Sequence, residues 1–178
     1  MGSCFKVDAQ KPPSYNPFDI RLGVGIALPT SGSLGGAVEI NPGYTIAGRY
    51  RMGVEFGWAG FDEYFVSHSN LSLDYYVVQA KRIWISMGGS FGYCNTSYYL
   101  FPSTLPPEQK MTYISSGKLG GNIRAGFGWH RIYGSIGYYF GPDLSIASTY
   151  DNYPTTTTLF KGNYFGFTIG IRLFGGLR

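Results

Sequence analysis

Apolar and polar residues alternate with a period of two along most of the chain. The first alternating segment covers residues 18–28, and the last covers residues 165–173. Six further segments of the same kind lie between them, at residues 38–46, 52–58, 73–77, 83–91, 123–129 and 132–140. Because successive side chains of a strand point to opposite faces of a sheet, this period predicts eight β-strands.

The connections between these segments come in two sizes that alternate along the chain. The short ones lie at residues 48–51, 80–82 and 130–131. The long ones lie at residues 29–36, 61–71, 95–117 and 142–162. This alternation places the short turns at one end of the sheet and the long loops at the other, with both termini on the short-turn side. It predicts an all-β, eight-stranded antiparallel up-and-down barrel over residues 17–178. Residues 1–16 are expected to be a flexible leader, either a signal-sequence remnant or an added segment.

The second face of each segment decides between two kinds of barrel. A soluble barrel that encloses a ligand turns its apolar face inward and its charged face to water. A transmembrane barrel turns its apolar face to lipid and fills a narrow interior with small or polar residues. Here the second face consists mainly of Gly, Ala, Ser and Thr, and strands of about ten residues suit a tilted crossing of the bilayer. The pattern therefore predicts a transmembrane β-barrel.

Composition and charge narrow the chemistry. Charged residues make up 13% of the chain, aromatic residues make up 18%, and 27 residues are glycine. A chain this rich in aromatic residues is not expected to be disordered. The net charge of +4 is not gathered in the dense basic block that nucleic acid would require. Cys4 and Cys94 cannot make a disulfide framework and lack the spacing of metal ligands. The sequence therefore predicts no nucleic-acid partner, no metal and no cofactor.

Aromatic residues gather near both ends of the predicted strands. Trp58 and Phe61 lie where one strand meets a long loop, and Tyr64 and Phe65 lie just beyond. Trp129 lies at the opposite end, beside a short turn. Membrane barrels carry girdles of aromatic side chains at these two levels. We therefore expect these residues to mark the two membrane interfaces.

The terminal strand, residues 162–174, alternates apolar residues and ends in the aromatic Phe174. In this strand and in its alternation from Phe18 onward, the chain resembles the small eight-stranded outer-membrane barrels. That family includes the transmembrane domain of outer membrane protein A and outer membrane protein X. The chain departs from the family's pattern in the residues that follow Phe174. Its glycine- and tyrosine-rich composition and a mature start near Gln10 are similar to barrels of Bacteroidetes.

The resemblance to these barrels carries several implications about the setting of the protein. It implies a place in the bacterial outer membrane with both termini in the periplasm. It also implies contact with outer-membrane lipid and lipopolysaccharide. The protein would be a monomer or a subunit of a larger complex.

Charged residues on the inward face are balanced in number. Four acids and four bases share that parity: Asp19, Glu39, Glu55, Asp74, Arg21, Lys118, Arg124 and Arg172. An unpaired charge inside a narrow barrel is costly, so the balance predicts an ion-paired network that plugs the lumen. A narrow or gated pore is the alternative.

The strand directions predict how these charges are ordered along the barrel axis. The expected order is Asp19, Arg21 and Arg172 near the short turns, Glu55 and Arg124 in the middle, and Glu39, Asp74 and Lys118 toward the long loops. We expect the Glu55–Arg124 pair to hold the middle of the network together.

His68 is the residue that could support an enzyme. It lies in the predicted long loop 61–71, where His68, Ser69 and Asn70 loosely resemble the His-x-Ser-Asn motif of lipid A deacylases. A base and a nucleophile that act on one face of a strand lie two residues apart, whereas His68 and Ser69 are adjacent. Together with Asp62, Glu63 and Ser67, His68 is also similar to lipid A palmitoyltransferases, but the amphipathic helix of that family is not evident. The favoured interpretation is a solvated loop histidine, with a lipid A acyl hydrolase or acyltransferase as the alternative.

The long loops are the favoured carriers of function. Barrels present loops on a rigid scaffold, and exposed tyrosines offer amphipathic contact area to a protein or glycan partner. The candidate contact residues are Tyr98, Tyr99, Tyr150 and Tyr153. Hydrated loops that only cap the barrel are the alternative. The sequence predicts a non-enzymatic outer-membrane barrel that acts as a structural or binding protein.

Overall fold

The computed structural model describes residues 15–30, 32–62, 64–80, 82–98, 117–150 and 153–177. Its strands are β1 Tyr15–Asn16, β2 Phe18–Pro29, β3 Gly35–Ile46, β4 Tyr50–Gly60, β5 Tyr64–Gln79, β6 Ile83–Tyr98, β7 Lys118–Trp129, β8 Ile132–Phe140, β9 Leu144–Tyr150, β10 Tyr153–Phe160, β11 Tyr164–Leu173 and β12 Gly176–Leu177. Within these ranges, no helix has the length and apolar character needed to cross a membrane.

Eight of the strands form one closed antiparallel barrel. Their order around the barrel is β11, β2, β3, β4, β5, β6, β7 and β8. Strand β11 pairs with β2, with Gly170 opposite Gly23, and this pairing closes the sheet. Closure leaves no free sheet edge, so every strand of the barrel has two hydrogen-bonded neighbours. The predicted eight-stranded antiparallel barrel is confirmed.

Two short sheets lie outside the barrel. Strands β9 and β10 pair as a hairpin between β8 and β11. Strands β1 and β12 pair through two residues each, with Tyr15 opposite Leu177. Residues 142–162 were predicted to form a loop, and the structure instead shows a hairpin within them. Residues 15 and 16, assigned to the leader, pair with the end of the chain.

The outer surface of the barrel is apolar on all sides. Each barrel strand presents large exposed apolar side chains, for example Val24, Ile40, Trp58, Leu71, Met87, Ile123, Ile136 and Ile169. Leu71 is 73% exposed and Ile123 is 70% exposed, which is the reverse of their usual burial in water-soluble domains. A continuous outward apolar band around a barrel with a polar interior is the arrangement of a membrane-spanning barrel. The predicted orientation of the two faces is therefore correct.

Strand β5 is longer than predicted. It begins at Tyr64 and runs for 16 residues, so the predicted long loop 61–71 is wrong. The outward positions in its first half include Ser67 and Ser69, while Val66 faces inward. Near the long-loop end, the outward positions of β5 are therefore no longer consistently apolar. The alternation of apolar and polar residues that identifies the other strands is not visible there.

The tight turn between β3 and β4 depends on two residues with positive φ. Ala47 has a φ of 51° and Gly48 a φ of 65°. Turns with two successive positive φ values match the right-handed twist of a β-hairpin, and glycine adopts this conformation without strain. This turn joins β3 to β4 at the short-turn end of the barrel.

Glycine on the inward face makes room for large side chains from neighbouring strands. A Cβ atom at Gly57 would overlap the His68 ring, and one at Gly128 would overlap the Trp84 ring. A Cβ atom at Gly43 would meet the guanidinium of Arg51. An eight-stranded barrel has little interior volume, so bulky polar side chains fit only where the facing position is small.

Candidate functional site

The lumen encloses eight buried charged residues among the residues that the structure describes. They are the carboxylates Asp19, Glu39, Glu55 and Asp74 and the guanidiniums of Arg21, Arg51, Arg124 and Arg172. Because acids and arginines are equal in number, their formal charges cancel. The lumen is therefore neutral overall, as a low-dielectric interior requires.

Asp74 on β5 collects three arginines from three other strands. Arg21 Nη1 on β2 lies 3.0 Å from Asp74 Oδ2. Arg124 on β7 approaches through Nε at 3.1 Å and Nη2 at 3.3 Å. Arg51 Nη1 on β4 lies 3.8 Å from Asp74 Oδ2. One carboxylate thus ties four strands together across the lumen.

Arg51 is fully buried and links Asp74 to a second carboxylate. Its Nε and Nη2 atoms donate to Asp19 Oδ1 at 2.9 and 2.6 Å. Its remaining donors reach Asn41, at the side-chain Oδ1 at 2.7 Å and at the backbone carbonyl at 2.6 Å. Arg172 Nε lies 3.8 Å from Asp19 Oδ2 on the other side. The Arg51 guanidinium is therefore hydrogen-bonded to Asp19 and to Asn41 at the same time.

Glu55 forms the centre of the network at mid-height. Arg124 Nη1 donates to its Oε2 atom. Three neutral side chains also donate to the same carboxylate, Asn122 at 2.6 Å, Asn41 at 3.3 Å and Ser90 at 3.3 Å. Arg124 thus bridges Glu55 at mid-height to Asp74 in the short-turn half. The charges at these two levels form one connected network.

Aromatic groups complete the short-turn half of the lumen. The Tyr76 hydroxyl accepts hydrogen bonds from Arg21 Nη2 at 2.8 Å and from Arg172 Nη2 at 3.1 Å. Both guanidinium carbons lie 4.8 Å from the centre of the Trp84 ring. An arginine against an indole face gains cation–π attraction, which is stronger in a desolvated site.

The long-loop half of the lumen is filled by a cluster of aromatic and small apolar residues. Its buried members are Ala27, Ala59, Phe61, Tyr64, Val66, Tyr139 and Tyr164. Tyr139 and Tyr164 stack with ring centres 4.6 Å apart, and Phe61 and Tyr64 stack at 4.5 Å. Phe61 and Tyr64 were expected in an interfacial girdle. Both are buried in the lumen instead: Phe61 follows the end of β4, and Tyr64 begins β5, whose long-loop end carries apolar residues on its inward face.

Little free space remains between these groups. A cavity beside Glu39, Arg21 and Trp84 has a volume of about 10 Å³. A second one, beside Glu39 and Tyr139, is equally small. A volume of this size holds about one water molecule. Glu39 itself accepts a hydrogen bond from Tyr133 at 2.8 Å.

The structure places seven of the eight predicted lumen charges inside the barrel. Lys118 is exposed at the start of β7, so its assignment to the lumen network is wrong. Asp74 was expected toward the long loops, but it lies in the short-turn half beside Arg51, because β5 begins earlier than predicted. Glu55 and Arg124 lie in direct contact at mid-height.

Arg51 is the buried lumen charge that was not predicted from the sequence. It was counted within the short turn 48–51, although it shares the inward parity of Glu55 on the same strand. Extending the alternation by two positions would have found it. The amides Asn41, Asn70 and Asn122 were also missed, since only charged residues were considered.

His68 is buried in the lumen rather than solvated in a loop. Its Nε2 atom lies 3.1 Å from Glu55 Oε1, and since a carboxylate can only accept, the proton is on Nε2. Ser69 lies on the opposite, exposed face, and the Ser90 hydroxyl also donates to Glu55. In a catalytic triad the histidine stands between the nucleophile and the acid. Here the acid stands between His68 and Ser90, so these residues are arranged as part of the packing network.

The structure describes none of the side chains of the four candidate contact tyrosines. Tyr99 lies outside the described residues. Tyr98, Tyr150 and Tyr153 belong to described strands, but their side chains lie outside the description. No group of three or more residues suited to hold a metal ion occurs within the described ranges.

Together, the outward apolar band and an interior occupied by charged, amide and aromatic side chains define a membrane-spanning eight-stranded β-barrel. The fold is similar to that of Neisserial surface protein A, with a TM-score of 0.59, 15% identity, and coverage of 89% of this chain and 97% of that one. It is also similar to the N-terminal β-barrel domain of Pseudomonas aeruginosa OprF, with a TM-score of 0.52, 9% identity, and coverage of 89% and 99%. No family model and no curated protein matches the sequence.

Proposed function

We propose that this chain is a non-enzymatic barrel of the bacterial outer membrane that anchors a binding surface at its long-loop end. Its termini lie on the periplasmic side, and its lumen is a structural plug. The observation that carries this proposal is the filled lumen. Ion-paired arginines occupy the short-turn half, and stacked aromatics occupy the other half. Function therefore falls to the surfaces outside the lumen.

A solute pore would need a continuous polar path along the axis. The aromatic cluster that contains Tyr139 and Tyr164 interrupts such a path near the long loops. Moving the charges aside would also separate Asp74 from several arginines in a low-dielectric interior, which is costly. These features support a plug over a narrow or gated pore.

The hairpin β9–β10 and the connection at residues 99–116 are the proposed binding elements. The hairpin leaves the barrel between β8 and β11 and pairs only with itself. Its strands contain Ser, Thr and Tyr and no charged residue. Uncharged segments rich in tyrosine and hydroxyl groups suit a protein or glycan partner, with Tyr98, Tyr99, Tyr150 and Tyr153 as contact residues.

The remaining parts of the proposal concern the membrane setting. The outward apolar band contacts outer-membrane lipid, with lipopolysaccharide at the long-loop side. The barrel acts as a monomer or as a subunit of a larger complex. The high glycine and tyrosine content supports an origin among Bacteroidetes-type barrels.

A hairpin replacement tests the binding function. Residues 144–160 are replaced by a short Gly-Ser turn, and wild-type and variant barrels in detergent are applied to a glycan array and to immobilised outer-membrane extract. We expect the wild type to be retained on at least one surface and the variant to lose that retention, while circular dichroism shows the same β-barrel. Retention that is equal for both proteins, or absent for the wild type, would contradict a role for the hairpin.

A further inference from the structure

The lipid-facing surface of the barrel contains a groove between β5 and β6. Its volume is about 510 Å³, within the range of ligand-binding clefts. The side chains that shape it are Tyr50, Leu71, Leu73, Tyr75, Met87 and Phe91. All of them belong to the outward face, so the groove opens to the membrane and not to the lumen.

Gly89 creates the groove. It lies between Met87 and Phe91 on the outward face of β6 and opposite Leu73 of β5. A Cβ atom there would overlap the backbone carbonyl of Asn122 on β7. The missing side chain therefore reflects a close backbone approach, and the depression is a fixed feature of the sheet.

The groove is polar at one end only. Tyr50 and Tyr75 lie at its short-turn end, with ring centres 5.3 Å apart. Arg49 comes directly before Tyr50, is exposed, and accepts a hydrogen bond at its backbone carbonyl from Tyr76 N at 2.8 Å. That bond places the Arg49 backbone beside the tyrosine pair. Tyrosine and arginine are the residues that favour the headgroup level of a membrane.

The large side chains at the other end of the groove are apolar, and Ser90 and Asn122 also line the groove. Leu71 and Phe91 face each other there, and both are more than half exposed to the membrane. From Tyr75 to Leu71 the strand advances about 13 Å at roughly 3.3 Å per residue. The hydrocarbon half-thickness of a bilayer is about 15 Å. With a strand tilt of about 40°, the groove thus spans about two thirds of the hydrocarbon depth of one leaflet, with its tyrosine pair at the short-turn end.

We propose that this groove binds one phospholipid from the leaflet on the short-turn side. An acyl chain lies over Gly89 along Leu73, and the phosphate accepts hydrogen bonds from the Arg49 guanidinium and the tyrosine hydroxyls. The site depends on the membrane-spanning barrel and is independent of the proposed binding role of the hairpin. It would hold a single lipid at one position around the barrel.

Native mass spectrometry tests the site. The intact chain is reconstituted in nanodiscs of phosphatidylethanolamine and phosphatidylglycerol, extracted, and its retained lipid measured. We expect one phospholipid on the wild type and its loss in Arg49→Gln, which removes the charge, and in Leu73→Trp, which fills the groove. The matched controls, Arg131→Gln in another short turn and Ile169→Trp on the lipid-facing side of β11, should keep the lipid, and circular dichroism should show folded barrels throughout.

A second arm separates phosphate recognition from simple chain binding. The wild type is offered a dialkyl maltoside with the same chain length, and we expect this phosphate-free lipid to be lost on extraction. Equal retention of the two lipids would overturn the proposal. So would a wild type without lipid, or Arg49→Gln and Leu73→Trp variants that retain as much phospholipid as their controls.

Discussion

A buried guanidinium in this lumen must satisfy five N–H donors without help from bulk water. Arg51 meets that need with Asp19 on one side and both oxygen atoms of Asn41 on the other. Glu55 meets the opposite need, because its oxygens accept from Arg124, His68 and three neutral side chains. Arg51 and Glu55 therefore each have several partners, and removing one partner leaves another charge buried and incompletely paired.

The Glu55–Arg124 pair provides a prediction at this scale. Glu55→Gln and Arg124→Met should each destabilise the barrel by about 3–5 kcal/mol, because each leaves a charge without its main partner. The double variant should cost less than the sum of the two, by about 0.5–3 kcal/mol. The measurement is denaturant unfolding in lipid vesicles, followed by tryptophan fluorescence.

Lys118→Met is the matched control for that cycle. Lys118 is exposed and lies outside the lumen network, so we expect a change within about 0.5 kcal/mol. Strict additivity of the Glu55 and Arg124 effects would show that the two residues do not stabilise each other.

At the scale of elements, the barrel strands differ in length. Strand β5 has 16 residues, and β8 has 9. Near the long loops β5 turns Ser67 and Ser69 outward, which indicates that this part of the strand stands above the apolar band. The hairpin β9–β10 continues beyond the same end. The long-loop end thus projects further from the membrane than the short-turn end.

This asymmetry predicts where protease reaches the protein in intact cells. With the long loops outside the cell, cleavage should fall within residues 99–116 or 142–162. In that orientation the turns at residues 49–51 and 80–82 would face the periplasm, so they should be spared. Mass spectrometry of the released fragments identifies the cut sites, and osmotically opened cells serve as the control. Cleavage of intact cells only at the short turns would reverse the orientation.

At the scale of the whole molecule, the barrel combines an apolar exterior with two kinds of filling. The ionic half fixes strands to one another through many polar contacts, and the aromatic half excludes water near the long loops. An eight-stranded barrel has an interior only wide enough for side chains. This filling is consistent with the anchor role proposed above.

The filled lumen predicts that the barrel conducts no steady ionic current. Wild-type protein in planar lipid bilayers should show no steady conductance, because neither half contains a continuous aqueous path. The comparison is a variant with Tyr139→Ala and Tyr164→Ala, which empties part of the aromatic cluster and should raise the frequency of brief openings. Steady wild-type conductance would favour the pore alternative.

Lipid A analysis of whole cells tests the enzyme alternative. Cells that express the wild type and cells that express His68→Ala should contain identical lipid A by mass spectrometry. A modified lipid A species that disappears in His68→Ala would contradict the non-enzymatic proposal.

Much of the architecture could be predicted from parity alone. Alternation is a local property, since it depends only on the direction of successive Cβ atoms along one strand. It correctly indicated the barrel, its outward apolar face and the inward position of Glu55, Arg124 and Asp19. It failed near the long-loop end of β5, where outward positions such as Ser67 are polar. It also failed at Arg51, which was assigned to a short turn instead of to the inward face of β4.

The pairing of the lumen charges was decided by the tertiary structure. Asp74 meets Arg21 and Arg124 across sequence separations of 53 and 50 residues. Those contacts depend on the register between strands and on which strands face each other across the closed barrel. The lipid-facing groove has the same origin, because it exists only where Gly89 lies beside Leu73 on the neighbouring strand. The sequence by itself determined which face each residue occupies, and closure of the barrel decided which residues meet.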